Sequence, residues 1–207
     1  MIGFYNYTVW LTYIGMLSSV VGIGFACGGN ITAAVICLMF SGFCDMFDGI
    51  VARTKQDRTD EERRYGIQLD SLSDVVCFGV LPVAIGYNIG ATAWWQVAGM
   101  AAFALAGLIR LAYYNVTEEA RQQQTTEKRK HYLGVPITSS ALTVPLLFCF
   151  EGLLGRNFPI AYTLLLLVNG ALFVLPVQVK KPGKTGLAIM LALGVVCTVL
   201  ILIFGRS

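Results

Sequence analysis

Charge is scarce in this chain. Asp, Glu, Lys and Arg make up 13% of its 207 residues while 56% are hydrophobic, against about 25% charged in an ordinary soluble domain. A surface so poor in charge excludes a water-exposed globule and indicates an integral membrane protein. Histidine is nearly absent, since His131 is the only one. It stands beside Lys128, Arg129 and Lys130, where an interfacial or phosphate-attracting residue fits better than a catalytic base. No C-x-x-C spacing occurs among the six cysteines, Cys27, Cys37, Cys44, Cys77, Cys149 and Cys197, so they read as small packing residues rather than a redox or zinc motif. No basic and aromatic nucleic-acid motif is present, and no gap between apolar runs holds a soluble domain. The first apolar run lacks the basic flank of a signal peptide and is expected to stay as a helix.

Apolar runs near the length of a membrane span occur at about 8–28, 31–52, 70–90, 92–114, 135–153, 157–177 and 185–205. The expected fold is therefore an all-α integral membrane bundle of about seven transmembrane helices, with six to eight possible, forming one domain over 1–207. Pro145 interrupts the fifth run. Thirteen of the 15 Lys and Arg residues fall after the second, fourth and sixth runs, and only Arg156 and Arg206 lie at the other ends. The positive-inside rule puts those thirteen, and the amino terminus, on the cytoplasmic side. The net charge of +3 thus reflects an uneven distribution, suited to anionic head groups or a charged nucleotide.

Against this background four aspartates stand out. On a helix Asp45, Asp48, Gly49, Ala52 and Arg53 fall at i, i+3, i+4, i+7 and i+8, a single stripe. Gly66, Asp70 and Asp74 repeat every four residues and share one side of a second helix. A carboxylate near the bilayer centre costs about 2.5–3.5 kcal/mol on insertion scales, so such groups pair or bind ions. Two facing stripes make a four-carboxylate cage whose charge two divalent cations neutralise. Hard oxygen ligands favour magnesium, manganese or calcium over zinc.

The order D-x-x-D-G-x-x-A-R, a spacer, then G-x-x-x-D-x-x-x-D resembles the signature of the CDP-alcohol phosphotransferases. It is carried here by Asp45, Asp48, Gly49, Ala52, Arg53, Gly66, Asp70 and Asp74, a motif core over 45–74. The spacer of twelve residues exceeds the usual eight or nine. The resemblance implies a Mg2+- or Mn2+-dependent enzyme, with a two-metal site, that moves the phosphoryl-lipid moiety of a CDP-lipid to an alcohol and releases CMP. It implies Asp45, Asp48, Asp70 and Asp74 as metal ligands, with Asp74 also the general base. Asp48, Gly49, Ala52, Arg53, Gly66 and Asp70 fall to the CDP-lipid. Small-residue helix packing is the other reading of Gly49 and Ala52, and an inside-facing anchor the other reading of Arg53.

Two further segments bear on the acceptor. Ser71–Val80, reading S-L-S-D-V-V-C-F-G-V, and Arg110–Val116, reading R-L-A-Y-Y-N-V, resemble the serine-using branch of that family, the phosphatidylserine synthases. Gly134–Thr138 resembles the branch's G-L-P-x-P. The departures are Ser73, Tyr113 and Thr138. The implied substrates are CDP-diacylglycerol and L-serine among membrane lipids, with Arg110 and Asn115 at the acceptor and a homodimer as the assembly. Arg110 reads equally well as a snorkelling interface residue. Rival readings are another acceptor, such as glycerol 3-phosphate or inositol phosphate, a membrane prenyltransferase, or a cation transporter. Glu151 is expected far from the cage.

Overall fold

The computed structural model describes residues 3–124, 131–180 and 184–204. Helix α1 (Trp10–Cys27) turns through Gly28 and Gly29 into α2 (Ile31–Ala52), which Asn30 caps by accepting a hydrogen bond from the Ala33 amide at 3.0 Å. The two helices approach closely because small residues face each other. A Cβ on Gly22 would lie 2.7 Å from the Cys37 Cβ, and one on Gly15 3.2 Å from the Cys44 Cβ. Between them the Ser19 and Ser41 hydroxyls meet at 2.7 Å, and Ser41 also donates to the Gly15 carbonyl at 2.8 Å. Cys37 and Cys44 are thus packing residues of the α1–α2 seam.

After the loop 53–59, helix α3 (Asp60–Asp74) starts on a capping box formed by Thr59 and Glu62. It runs without a break through a π-helical turn, Val75–Val80, into α4 (Leu81–Asn88). Pro82 has no amide hydrogen to give the preceding turn. The Ser140 hydroxyl donates to the Phe78 carbonyl there at 3.2 Å, and the buried Tyr162 hydroxyl donates to the Pro82 carbonyl at 2.8 Å. Backbone carbonyls within the bundle are so satisfied where water is excluded.

Helix α5 (Trp94–Gln124) packs along α8 (Phe158–Val174), with Phe103, Tyr162 and Leu166 in the core. Between them in the sequence come α6 (Ser140–Phe148) and the short α7 (Glu151–Leu154), and α9 (Lys184–Phe204) closes the described chain. Strands β1 (His131–Leu133) and β2 (Gln178–Lys180) pair antiparallel, His131 opposite Lys180. Gly134 follows β1 at φ +76°, where a Cβ would lie 2.6 Å from the Phe173 carbonyl oxygen, so the turn requires glycine. The Arg64–Glu119 ion pair brings the start of α3 and the end of α5 to the same end of the bundle. Lys128, Arg129, Lys130, Lys181 and Arg206 lie outside the described residues.

The architecture is an all-α polytopic bundle, and the expected count of six to eight spans is corrected to five among the described residues. These are Tyr7–Cys27, Ile31–Ala52, Asp60–Asn88, Trp94–Arg121 and Glu151–Val174. The fifth apolar run gives only the shorter helix Ile137–Phe148, and on the seventh run, within α9, the described apolar stretch is Ala188–Ile201. For the fifth run the cause is Pro145, which sits inside α6 and cannot donate to the preceding turn; the helix stops at Phe148. At about 1.5 Å per residue such a segment falls well short of a hydrocarbon core about 30 Å thick. The third span, conversely, begins at Asp60, ten residues before its apolar run, because the capping box carries the helix out into polar sequence.

Candidate active site

The sequence spacing becomes geometry where the later halves of α2 and α3 meet. Carboxylate oxygens of Asp45, Asp70 and Asp74 lie within 4.8 Å of one another. Side-chain contacts cross the helix pair from Asp45 to Asp74 and from Asp48 to Asp70. All four aspartates line one cavity of about 10 Å3, together with Thr12, Ser41, Ser73 and Cys77, room for about one water-sized occupant. The Thr12 hydroxyl, arriving from α1, donates to Asp48 Oδ2 at 3.1 Å, with both residues buried.

This donor set fits a hard divalent cation. Its three clustered ligand atoms are all carboxylate oxygens, and membrane-buried carboxylates repel one another unless a cation lies among them. Cys77 borders the cavity, but its sulfur engages the Ser73 hydroxyl at 3.7 Å, so it acts as a neighbour of the oxygen cluster. The π-helical turn begins at Val75, directly after Asp74. It resets the helical register there, a feature frequent at functional sites.

Around the cluster lie the small and cationic positions of the motif. Gly49 is covered by Arg53, whose Nε donates to the Gly49 carbonyl at 2.7 Å. Gly66 faces Arg58 rather than a helix backbone, since a Cβ there would lie 2.6 Å from Arg58 Nη2. Arg58 Nη1 in turn reaches the Ala52 carbonyl at 3.4 Å. The loop is anchored by Lys55, which donates to both Glu62 oxygens at 2.9 and 3.1 Å. That hydrogen bond holds the Lys55 ammonium above the usual lysine range. Asn6 donates to the same carboxylate at 3.1 Å.

From α5, Arg110 enters at only 8% exposure, close enough for its charge to act on Asp45, with its guanidinium carbon 5.9 Å from the Tyr114 ring centroid. Asn115 Nδ2 donates to the Ser71 hydroxyl at 2.9 Å, tying α5 to α3 one residue beyond Asp70. Tyr113, which departs from the branch pattern, is 59% exposed. Nothing is described of the His131 side chain. Glu151 lines a separate cavity of about 410 Å3 beside Gly29 and Ile31, at the opposite end of α2.

Sequence reasoning missed Thr12 and Arg58. A lone threonine in an apolar helix carries no spacing signal, and its role depends on how α1 lies against α2. Arg58 sits in a loop whose length gave no indication of its path.

Comparison with known proteins places this geometry among relatives. A family model for CDP-alcohol phosphatidyltransferase matches residues 5–205. The CDP-diacylglycerol–serine O-phosphatidyltransferase of Saccharomyces cerevisiae is 38% identical over 122 residues, covering 57% of this chain and 43% of that protein. The enzyme of the same name from Helicobacter pylori is 33% identical over 145 residues, 68% of this chain and 54% of its own length. An archaetidylserine synthase from Methanothermobacter thermautotrophicus is 30% identical over 135 residues, 65% of this chain and 54% of its own length. The chain spans about half the length of the curated relatives it matches.

Proposed function

The chain belongs to the CDP-alcohol phosphatidyltransferase family, and from that premise we propose that it transfers the phosphatidyl group of CDP-diacylglycerol to the hydroxyl of L-serine. The products are phosphatidylserine and CMP. The observation that carries this reading is the convergence of Asp45, Asp48, Asp70 and Asp74 on one cavity at the motif's spacing. Serine as acceptor is supported by the names of the yeast and bacterial relatives and by Arg110 and Asn115 near the cluster.

In this reading Asp45, Asp48 and Asp70 hold Mg2+ or Mn2+, and the two crossing carboxylate pairs suit a two-metal arrangement. The bound ions supply charge stabilisation at the phosphoryl oxygens and at the departing CMP phosphate. Asp74 takes the proton as serine's hydroxyl oxygen bonds to the lipid-bearing phosphorus and the bond from that phosphorus to the CMP oxygen breaks. Gly49 and Ala52 leave room for the nucleotide, Gly66 leaves room for the Arg58 guanidinium beside it, and Arg53 contacts the phosphates. Arg110 receives the serine carboxylate while Asn115, held by Ser71, orients the acceptor. The site faces the cytoplasm on the charge rule, and the assembly is a homodimer.

The test is incubation of purified protein with CDP-diacylglycerol, Mn2+ or Mg2+ and labelled serine, beside a panel of other alcohols. Labelled lipid with stoichiometric CMP, abolished by chelator, is the expected outcome. CMP release with another alcohol and none with serine overturns the acceptor. Pyrophosphate release, or ion flux without turnover, overturns the reaction itself.

A further inference from the structure

The twelve-residue spacer between the two halves of the motif places Arg58 where the family's fixed positions put no residue. Its guanidinium folds inward from the loop. Nη1 donates to the Ala52 carbonyl at 3.4 Å, and Nη2 donates to the Glu62 carbonyl at 3.2 Å while filling the space that Gly66 leaves open. The Nε hydrogen is buried and has no acceptor. An unsatisfied N–H on a charged group is costly to bury, and nearby acids do not relieve it. The Glu62 carboxylate is taken by Lys55 and the Thr59 amide, and Asp60 lies 3.7 Å from Arg63.

Its position gives that unused donor a purpose. Ala52 lies four residues beyond Asp48 on α2, and Gly66 four residues before Asp70 on α3. Arg58 therefore lies against two positions of the same motif, one helical turn along each helix from an aspartate, on the loop side of the carboxylates. The aspartates would hold the cations that take the oxygens of a diphosphate, and Arg58 is the loop cation set beside them. A planar guanidinium with an unused Nε there is matched to a phosphate oxygen in geometry and charge.

We propose that Arg58 is a binding residue for the diphosphate of the CDP-linked substrate, its Nε donating to a phosphate oxygen across the notch formed by Ala52 and Gly66. This rests on the CDP-lipid reading above. It also gives Gly66 a specific duty: the glycine exists to seat the Arg58 fork. A side chain at that position displaces the fork before it meets any nucleotide.

The experiment measures CDP binding to the purified full-length chain by calorimetry with Mn2+ present, alongside steady-state CMP release. Arg58→Ala is expected to weaken CDP binding and raise the KM for CDP-diacylglycerol by about tenfold or more, as loss of one charge-assisted hydrogen bond does. The KM for serine should stay within about twofold, because no contact to the acceptor is removed. Gly66→Ala should be harmful in the parent protein and add less than about twofold on the Arg58→Ala background, the non-additivity of two residues in contact. CDP affinity unchanged in folded Arg58→Ala overturns the proposal, as do equal rises in both KM values or full additivity with Gly66→Ala. If Arg58→Ala does not fold, Arg58→Lys, which keeps a cation but lacks Nε, is judged by the same criteria. Parent protein that binds CDP but releases no CMP counts against the transfer reaction and leaves the Arg58 comparison intact.

Discussion

Replacing Thr12 with valine isolates one atom of the site. Valine keeps the branched shape, so the α1–α2 seam retains its packing and only the hydroxyl that donates to Asp48 Oδ2 at 3.1 Å is lost. A hydrogen bond to an ionised group contributes about 1.5–3 kcal/mol, which at about 1.4 kcal/mol per decade bounds the effect between roughly tenfold and 150-fold. Asp48 keeps its contact with Asp70, so its carboxylate is partly oriented without Thr12. The loss should then lie near the lower bound, about tenfold in metal affinity, in line with other groups that orient metal ligands. The assay is CMP release titrated with Mn2+. The midpoint of activation should move to about tenfold higher metal, with turnover at saturating metal largely retained, and Thr12→Ser should restore the midpoint. An unchanged midpoint in Thr12→Val refutes the claim that this hydroxyl positions a metal ligand. A fall in saturated turnover with a fixed midpoint places Thr12 in the chemistry instead.

Asp74→Asn should abolish transfer, by at least about 100-fold, while CDP binding remains measurable, because the amide keeps the volume but cannot take the proton; near-normal CMP release would eliminate it as the base. Arg110→Ala should raise the KM for serine more than that for CDP-diacylglycerol, and equal changes in the two would return Arg110 to a purely structural role. Gly22→Ala should destabilise the bundle by about 1–3 kcal/mol, since its methyl would lie 2.7 Å from the Cys37 Cβ. Thermal unfolding in detergent checks this, and an unshifted midpoint would show that the α1–α2 seam gives way more easily than its close packing implies.

The four aspartates were legible in the sequence because two physical constraints acted together. Helical periodicity put each pair on one face, and the cost of a charge against lipid left the inside of the bundle as the only place for those faces. Neither constraint required knowledge of loop paths, and the structure brings Asp45, Asp70 and Asp74 within 4.8 Å. The all-α membrane bundle was legible for the same reason, since apolar run length maps directly onto bilayer thickness. Helix count was less so. Pro145 was visible as an interruption, yet hydropathy alone gave no means to decide that α6 stops three residues later. The π-helical turn after Asp74 was hidden for a different reason: of its carbonyls, that of Phe78 is met by Ser140 from a helix more than 50 positions away, a partner that no local pattern announces.

Thr12 and Arg58 mark where a one-dimensional reading ends. Each acts through a partner fixed by tertiary packing, Thr12 through the close α1–α2 approach that Gly15 and Gly22 permit, and Arg58 through a loop held by the Lys55–Glu62–Asn6 hydrogen bonds. The small residues of the motif take a second meaning from this. As a stripe they describe helix packing, but in the fold Gly49 and Gly66 face guanidinium groups. What the glycines clear is space for cations beside the carboxylate cluster, and a positive group set next to a negative one is the pairing that the proposed diphosphate substrate would use.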